Sequence, residues 1–223
     1  MTQIININKQ ISDIFTLEIK NLKIEEGQII ALVGSNGSGK TTFIKTISQN
    51  FIYQKNTDID LTSTYDVLQQ VSNYGSVKLF DIALLLKNLY KKKTDLNKLF
   101  GFYELNNHKL KYFSNLSPGQ QQRYKFMLLE LLSGDILILD ETFNFLDTFW
   151  RRKITKRIQS KIDQYKNVFI IDHNLETLKE LCNRMIFLKG GKILEDTKNI
   201  KDIEQEKFDE LVGSIELEPD FEE

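Results

Sequence analysis

Residues 34 to 42, Gly-Ser-Asn-Gly-Ser-Gly-Lys-Thr-Thr, have the types and spacing that phosphate binding requires. They satisfy the full pattern of a phosphate-binding loop, with two glycines five apart followed by Lys40 and Thr41. The glycines let backbone N–H groups converge on a β-phosphate at the positive end of the following helix. Lys40 then reaches the β- and γ-phosphates, and the Thr41 hydroxyl is the expected ligand of Mg²⁺. The expected ATP-binding set from this loop is Ser35, Asn36, Gly37, Ser38, Gly39, Lys40, Thr41 and Thr42.

A second stretch, Ile136 to Leu139, is wholly apolar and ends in Asp140 and Glu141. A strand-terminal aspartate beside a phosphate loop is placed to hold Mg²⁺. Alone, such a pair reads equally as a solvated strand end. Between the two lies Leu-Ser-Pro-Gly-Gln-Gln-Gln-Arg, residues 116 to 123. Ser117 and Pro118 form a helix start, serine as the cap and proline at the first helical position. The helix N-terminus offers partial positive charge and free N–H groups to a further phosphate.

With these three elements in this order, residues 3 to about 195 resemble the ATP-binding subunit of an ATP-binding-cassette (ABC) transporter. The resemblance implies that Glu141 polarises the attacking water as catalytic base. It implies that Ser117 and Gly119, with Gln120 also matching, contact the γ-phosphate of a nucleotide held by a second subunit in a head-to-tail dimer. His173 matches the histidine that holds the water and Glu141 in place. Asp147 matches the loop that connects the two nucleotide sites. Gln70 best matches a glutamine that touches Mg²⁺ and water and reports to the membrane partner, with Gln69 as the alternative. Phe15 is the aromatic best placed to stack on adenine, and core packing is the other reading of it. The chain departs from the family where Pro118 replaces a glycine, Thr142 a proline and Phe145 a small residue. Pro118 removes one N–H donor.

The elements that position these residues read as α/β. Short strands are expected at Ile4-Ile5, Phe15 to Ile19, Leu22 to Ile24 and Ile29 to Val33, the last a buried central strand. A helix starts near Lys40, and residues 50 to 80 read as irregular. Asp81 to Lys93 has a helical pattern with Ile82, Leu85, Leu86 and Leu89 on one face, and Leu96 to Phe102 is a second short helix. The helix from Pro118 is expected to run to about Leu132. Then follow a strand at Ile136 to Leu139, a helix at Trp150 to Tyr165, a strand at Val168 to Ile171 and a helix at Leu175 to Cys182. A hairpin is expected around Gly190-Gly191. Alternating strands and helices imply mainly parallel pairing. The resemblance implies one ABC ATPase domain over 1–223. It has an N-terminal antiparallel β subdomain and an α-helical signature subdomain inserted at about 70–132. Residues 196–223 form an extension with an acidic tail.

Composition excludes several classes. Lys plus Arg number 30 against 31 Asp plus Glu, which leaves no electrostatic footprint for nucleic acid. The single cysteine, Cys182, excludes an internal disulfide. No apolar run approaches the ~18 residues of a membrane helix, and the first residues lack the pattern of a signal peptide. The expectation is a protein held at the cytoplasmic face of the membrane by separate permease subunits. Lys87, Lys91, Lys92, Lys93 and Lys98 form a basic cluster, a solvated helix end or a surface for an acidic partner loop or anionic lipid. Mg²⁺ and ATP are the expected cofactor and substrate, and a second cassette subunit, identical or homologous, the expected partner. The short chain favours an exporter, with peptide or bacteriocin-type substrates, over an importer. The alternatives are a soluble cassette ATPase that remodels a cytosolic complex and a binding-only switch.

Overall fold

The computed structural model describes residues 2–53 and 76–213. It opens with a hairpin of β1 (Thr2–Ser12) and β2 (Phe15–Glu25), joined by a two-residue turn. Both strands are longer than the sequence suggested. In β1 only Ile5 and Ile7 are buried, and the rest pairs through backbone bonds that no side-chain alternation reveals. β2 reads as two pieces because its alternation slips at Lys20-Asn21. There Asn21 takes a φ of 52°, and its N–H donates to Asn6 Oδ1 at 2.8 Å.

A five-stranded sheet lies beneath the hairpin. Its order is β4 (Ile136–Asp140), β5 (Asn167–Ile171), β3 (Ile29–Val33), β6 (Arg184–Lys189), β7 (Lys192–Thr197). The first four strands run parallel and only β7 is antiparallel. The central residues of the parallel strands are apolar because both faces are covered, and polar residues stand only at strand ends, at Asn167, Asp140, Arg184 and Lys189. Ile30, Leu32, Ile138, Phe169 and Ile186 point towards the hairpin and Phe43, Ile44 and Ile47 of helix α1 (Lys40–Tyr53). Their alternates Ala31, Val33, Leu139, Ile170 and Phe187 point into a second core built with the remaining helices.

Those helices are α2 (Leu79–Leu89), α3 (Leu96–Phe102), α4 (Pro118–Leu129), α5 (Thr148–Gln159), α6 (Leu175–Leu181) and α7 (Gln205–Gly213). α2 buries Leu79, Ile82, Ala83 and Leu86. Leu85 and Leu89, expected on that face, are 64% and 63% exposed. The stripe that faces the core is Leu79, Ile82, Ala83 and Leu86, which leaves Leu85 on the flank, and Leu89 is the last helical residue. α4 stops at Leu129, not Leu132. Leu131 and Leu132 stay buried in tight turns, donating to Leu128 and Leu129 carbonyls at 2.9 and 3.2 Å, so the apolar pattern outlasts the helix. Likewise α5 ends at Gln159, and a 3₁₀ turn at Ile162–Gln164 carries the pattern on. Cys182 is buried at the end of α6, and burial pushes its thiol pKa up. Among the described residues, no helix is long and apolar enough to cross a membrane.

Candidate nucleotide site

β3 runs directly into the phosphate loop, and α1 begins at Lys40. Gly37 and Gly39 take φ of 81° and 105°, the left-handed region that favours glycine. Lys40 is buried, and its Nζ donates to the carbonyls of Gly34 and Ser35 at 2.6 and 2.7 Å. Burial pulls its pKa down, while the carboxylates of Glu141 and Asp140 push it back up. Thr41 and Asn36 are exposed, Ser35 and Thr42 half-buried, and Ser38 is buried with its Oγ unpartnered. Phe15, at the start of β2, lies half-buried against the loop: a Cβ on Gly39 would stand 3.0 Å from its ring. The turn between β6 and β7 pins the loop from the other side. Gly191 N–H donates to Ser38 O at 3.0 Å, and Gly191 O accepts from Glu18 N–H at 2.8 Å. At a φ of 76°, a Cβ there would collide with the Thr16 carbonyl, so glycine is required.

β4 and β5 are neighbours, so the loops after them are too. Asp140, half-buried, ends β4 opposite Ile171. Glu141 extends the ladder by one bond, its N–H donating to Ile171 O at 3.0 Å. Its φ of 48° turns the backbone sharply away from the strand. This conformation costs about 1 kcal/mol for a residue with a Cβ. Glu141 Oε1 lies 3.5 Å from His173 Nε2, and Oε2 accepts from Asn144 Nδ2 at 3.3 Å. Asp172, just before His173, is buried, which raises its pKa. The N–H of Asn174 and the Arg151 guanidinium oppose that rise.

The signature helix α4 starts with a reciprocal capping box. Ser117 N–H donates to Gln120 Oε1 at 3.0 Å, and Gln120 N–H donates to Ser117 Oγ at 3.4 Å. With Oε1 used, Gln120 donates through Nε2 to His108 Nε2 at 3.3 Å, which makes His108 the acceptor. Burial first, then Lys111 and Arg123, lowers the His108 pKa. Gly119 packs on the loop after β4: a Cβ there would sit 3.0 Å from Phe145 O. Phe145 itself takes a φ of 63° with its ring 73% exposed. Thr142 is buried with its hydroxyl unpartnered. Asp147 caps α5, accepting from Trp150 N–H at 2.8 Å.

Lys40, Asp140, Glu141 and His173 thus meet at the carboxyl ends of three adjacent parallel strands, the usual ligand crevice of such sheets. Phe15 joins them. Ser117, Gly119 and Gln120 form a separate cluster with Phe145 and His108. Gln70, and its alternative Gln69, lie outside the described residues. Sequence reading missed Asn144, Arg151, Asp172, His108 and Gly191. Asp172, adjacent to His173, and Asn144, three residues from its acceptor Glu141, lie beside predicted site residues; Arg151, His108 and Gly191 act through contacts between segments further apart.

A model of the family described as ABC transporter matches residues 17–144, more than half of the chain. The chain belongs to the ABC transporter family, as its ATP-binding component. It is similar to an uncharacterized ABC transporter ATP-binding protein of Methanocaldococcus jannaschii, 28% identical over 204 residues that span 89% of this chain and 77% of that protein. It is also similar to the spermidine/putrescine import ATP-binding protein PotA of Fusobacterium nucleatum, at 27% identity, covering 86% of this chain and 56% of that one. A solved dimeric ATP-binding cassette in a post-hydrolysis state, bound to ADP and Pi, shares the fold with a TM-score of 0.67 at 21% identity. That match covers 89% of this chain and 98% of that chain.

Proposed function

We propose that the chain energises an ABC transporter by binding ATP at residues 34–42 and hydrolysing it with Glu141, in a head-to-tail dimer coupled to separate membrane subunits. The observation that carries this is the approach of Glu141 to His173 at 3.5 Å, with Lys40 within electrostatic reach of Glu141 and Asp140. Backbone N–H groups of the loop and Lys40 bind the phosphates, and Phe15 stacks on the base. The Thr41 hydroxyl and the Asp140 carboxylate are hard oxygen donors of the kind Mg²⁺ prefers, beside a phosphate loop, and they would hold the ion together with Gln70. When bound, Mg²⁺ neutralises charge on the phosphate oxygens. Glu141 takes the proton of the attacking water, and His173 keeps that water and Glu141 aligned. Ser117, Gly119 and Gln120 of one subunit complete the site of the other, with Asp147 between them.

Export belongs to the proposal, although PotA carries import in its name. Tagged protein purified from detergent-solubilised membranes tests both parts. A stoichiometric polytopic membrane protein supports the transporter reading, and its sequence bears on direction. A solely cytosolic partner moves the function to remodelling of a soluble complex. Glu141→Gln should abolish Mg²⁺-dependent hydrolysis and trap an ATP-bound dimer. Equal rates for variant and wild type would remove Glu141 as the base.

A further inference from the structure

Glu141 and His173 stand on different loops, and burial does not hold them in register: their side chains are 44% and 47% exposed. Glu141 also sits at a positive φ that its own residue type disfavours. Restraint has to come from the backbone on either side, and one side chain reaches both sides. Arg151, in the first turn of α5, donates from Nη2 to the Phe143 carbonyl at 3.1 Å, within the loop that bears Glu141. From Nη1 it donates to Asp172 Oδ2 at 3.4 Å and to Thr177 Oγ1 at 3.3 Å, on the loop and helix that flank His173. Asp172 is 3% exposed, and its other oxygen accepts from Asn174 N–H at 2.7 Å. Asn174 in turn caps α6, accepting from Thr177 N–H and Oγ1 at 2.8 and 2.9 Å. The loop bearing His173 is therefore fixed to α6 at one end and to Arg151 at the other.

We propose that Arg151 and Asp172 are a positioning pair that sets the separation of Glu141 and His173 during hydrolysis. Neither touches the nucleotide in this scheme. A planar guanidinium suits the task because its fork bonds a carbonyl and a carboxylate at once, which a lysine ammonium does not reproduce with the same geometry. The proposal rests on the assignment of Glu141 and His173 as the hydrolytic pair.

Steady-state Mg²⁺-ATP hydrolysis by the purified chain, together with binding of a fluorescent ATP analogue, tests it. Arg151→Ala should lower kcat roughly ten- to a hundredfold, the scale of misplacing a reacting group by about an ångström, with analogue affinity within about twofold of wild type. Arg151→Lys should fall between the two. Asp172→Asn keeps the acceptor for Asn174 and loses the charge facing Arg151, so it should lower kcat alone. In a His173→Ala background, Arg151→Ala should add little further loss, because its effect passes through that histidine. A kcat within twofold of wild type for Arg151→Ala, or a full additional loss on top of His173→Ala, overturns the pair. If Arg151→Ala melts early, Arg151→Lys and Asp172→Asn decide by the same split of kcat from affinity. Hydrolysis that Glu141→Gln abolishes and Arg151→Ala retains sinks this inference alone. Equal hydrolysis by wild type and Glu141→Gln sinks the underlying assignment.

Discussion

Two helix N-termini are proposed above to meet phosphate, and they are built in opposite ways. The start of α1 is a backbone device. Its loop is wedged between β3, Phe15 and the turn at Gly191, its glycines adopt conformations closed to other residues, and its lysine is buried. The start of α4 is a side-chain device. Ser117 and Gln120 cap each other, His108 holds Gln120, and Ser117 and Pro118 are exposed. The first is a complete cradle in one chain. The second already satisfies part of its own N–H groups and is suited to meet a ligand delivered from outside. Contact with Phe15 and the turn at Gly191 makes the geometry of the first stiff; the second is only as firm as the polar contacts around it.

Four substitutions sharpen or break this contrast. Lys40→Ala should have the largest effect. Losing charge-assisted bonds to phosphate removes about 3 kcal/mol of binding, roughly a hundredfold in affinity, seen as lost binding of a fluorescent ATP analogue to the isolated chain. Unchanged affinity would mean that the backbone alone suffices. Gly119→Ala comes next. Its Cβ must push on the Phe145 carbonyl, so turnover should drop on the order of tenfold while analogue binding by the isolated chain persists. If both fall together, the two helix starts are not separable.

Gly191→Ala should destabilise by about 2 kcal/mol through its positive φ and the clash with Thr16. A thermal melt reads that loss, and weaker nucleotide binding should accompany it because the turn pins Ser38. The smallest effect concerns His108. Its folded pKa lies below its ordinary value, so the unfolded chain binds more protons as pH falls. Its contribution is present above about pH 6.5 and is lost as pH drops through the folded pKa. His108→Ala should therefore flatten the fall in melting temperature between about pH 7 and pH 5. An unchanged slope would mean that burial, Lys111 and Arg123 do not hold the His108 pKa below its ordinary value.

Reading the sequence succeeded where the physics is local and stumbled where it is not. A serine followed by proline specifies its own helix cap, and Ser117 caps α4 as that pattern implies. The run Ile136 to Leu139 is buried on both faces, as an uninterrupted apolar strand has to be. Helix ends were less legible. Leu131, Leu132 and Tyr165 continue an apolar rhythm that a tight turn serves as well as a helix. The exposed Leu85 shows the same limit, since which apolar side faces the core depends on where the helix sits against its neighbours.

By itself, the sequence determined the class of chemistry. Glycines at fixed spacing, a lysine, a serine-proline cap and a strand-end carboxylate pair act through their own backbone geometry and charge within a few residues. Tertiary structure decided the rest. It placed Phe15 and Gly191 against the loop at residues 34–42, brought His108 to Gln120 and set Arg151 between the loops that follow β4 and β5. The Arg151 contacts join distant segments because parallel β4 and β5 put their carboxyl ends, and hence their loops, side by side. That adjacency comes from the strand order of the sheet, β4-β5-β3-β6-β7, which no local pattern in the chain encodes.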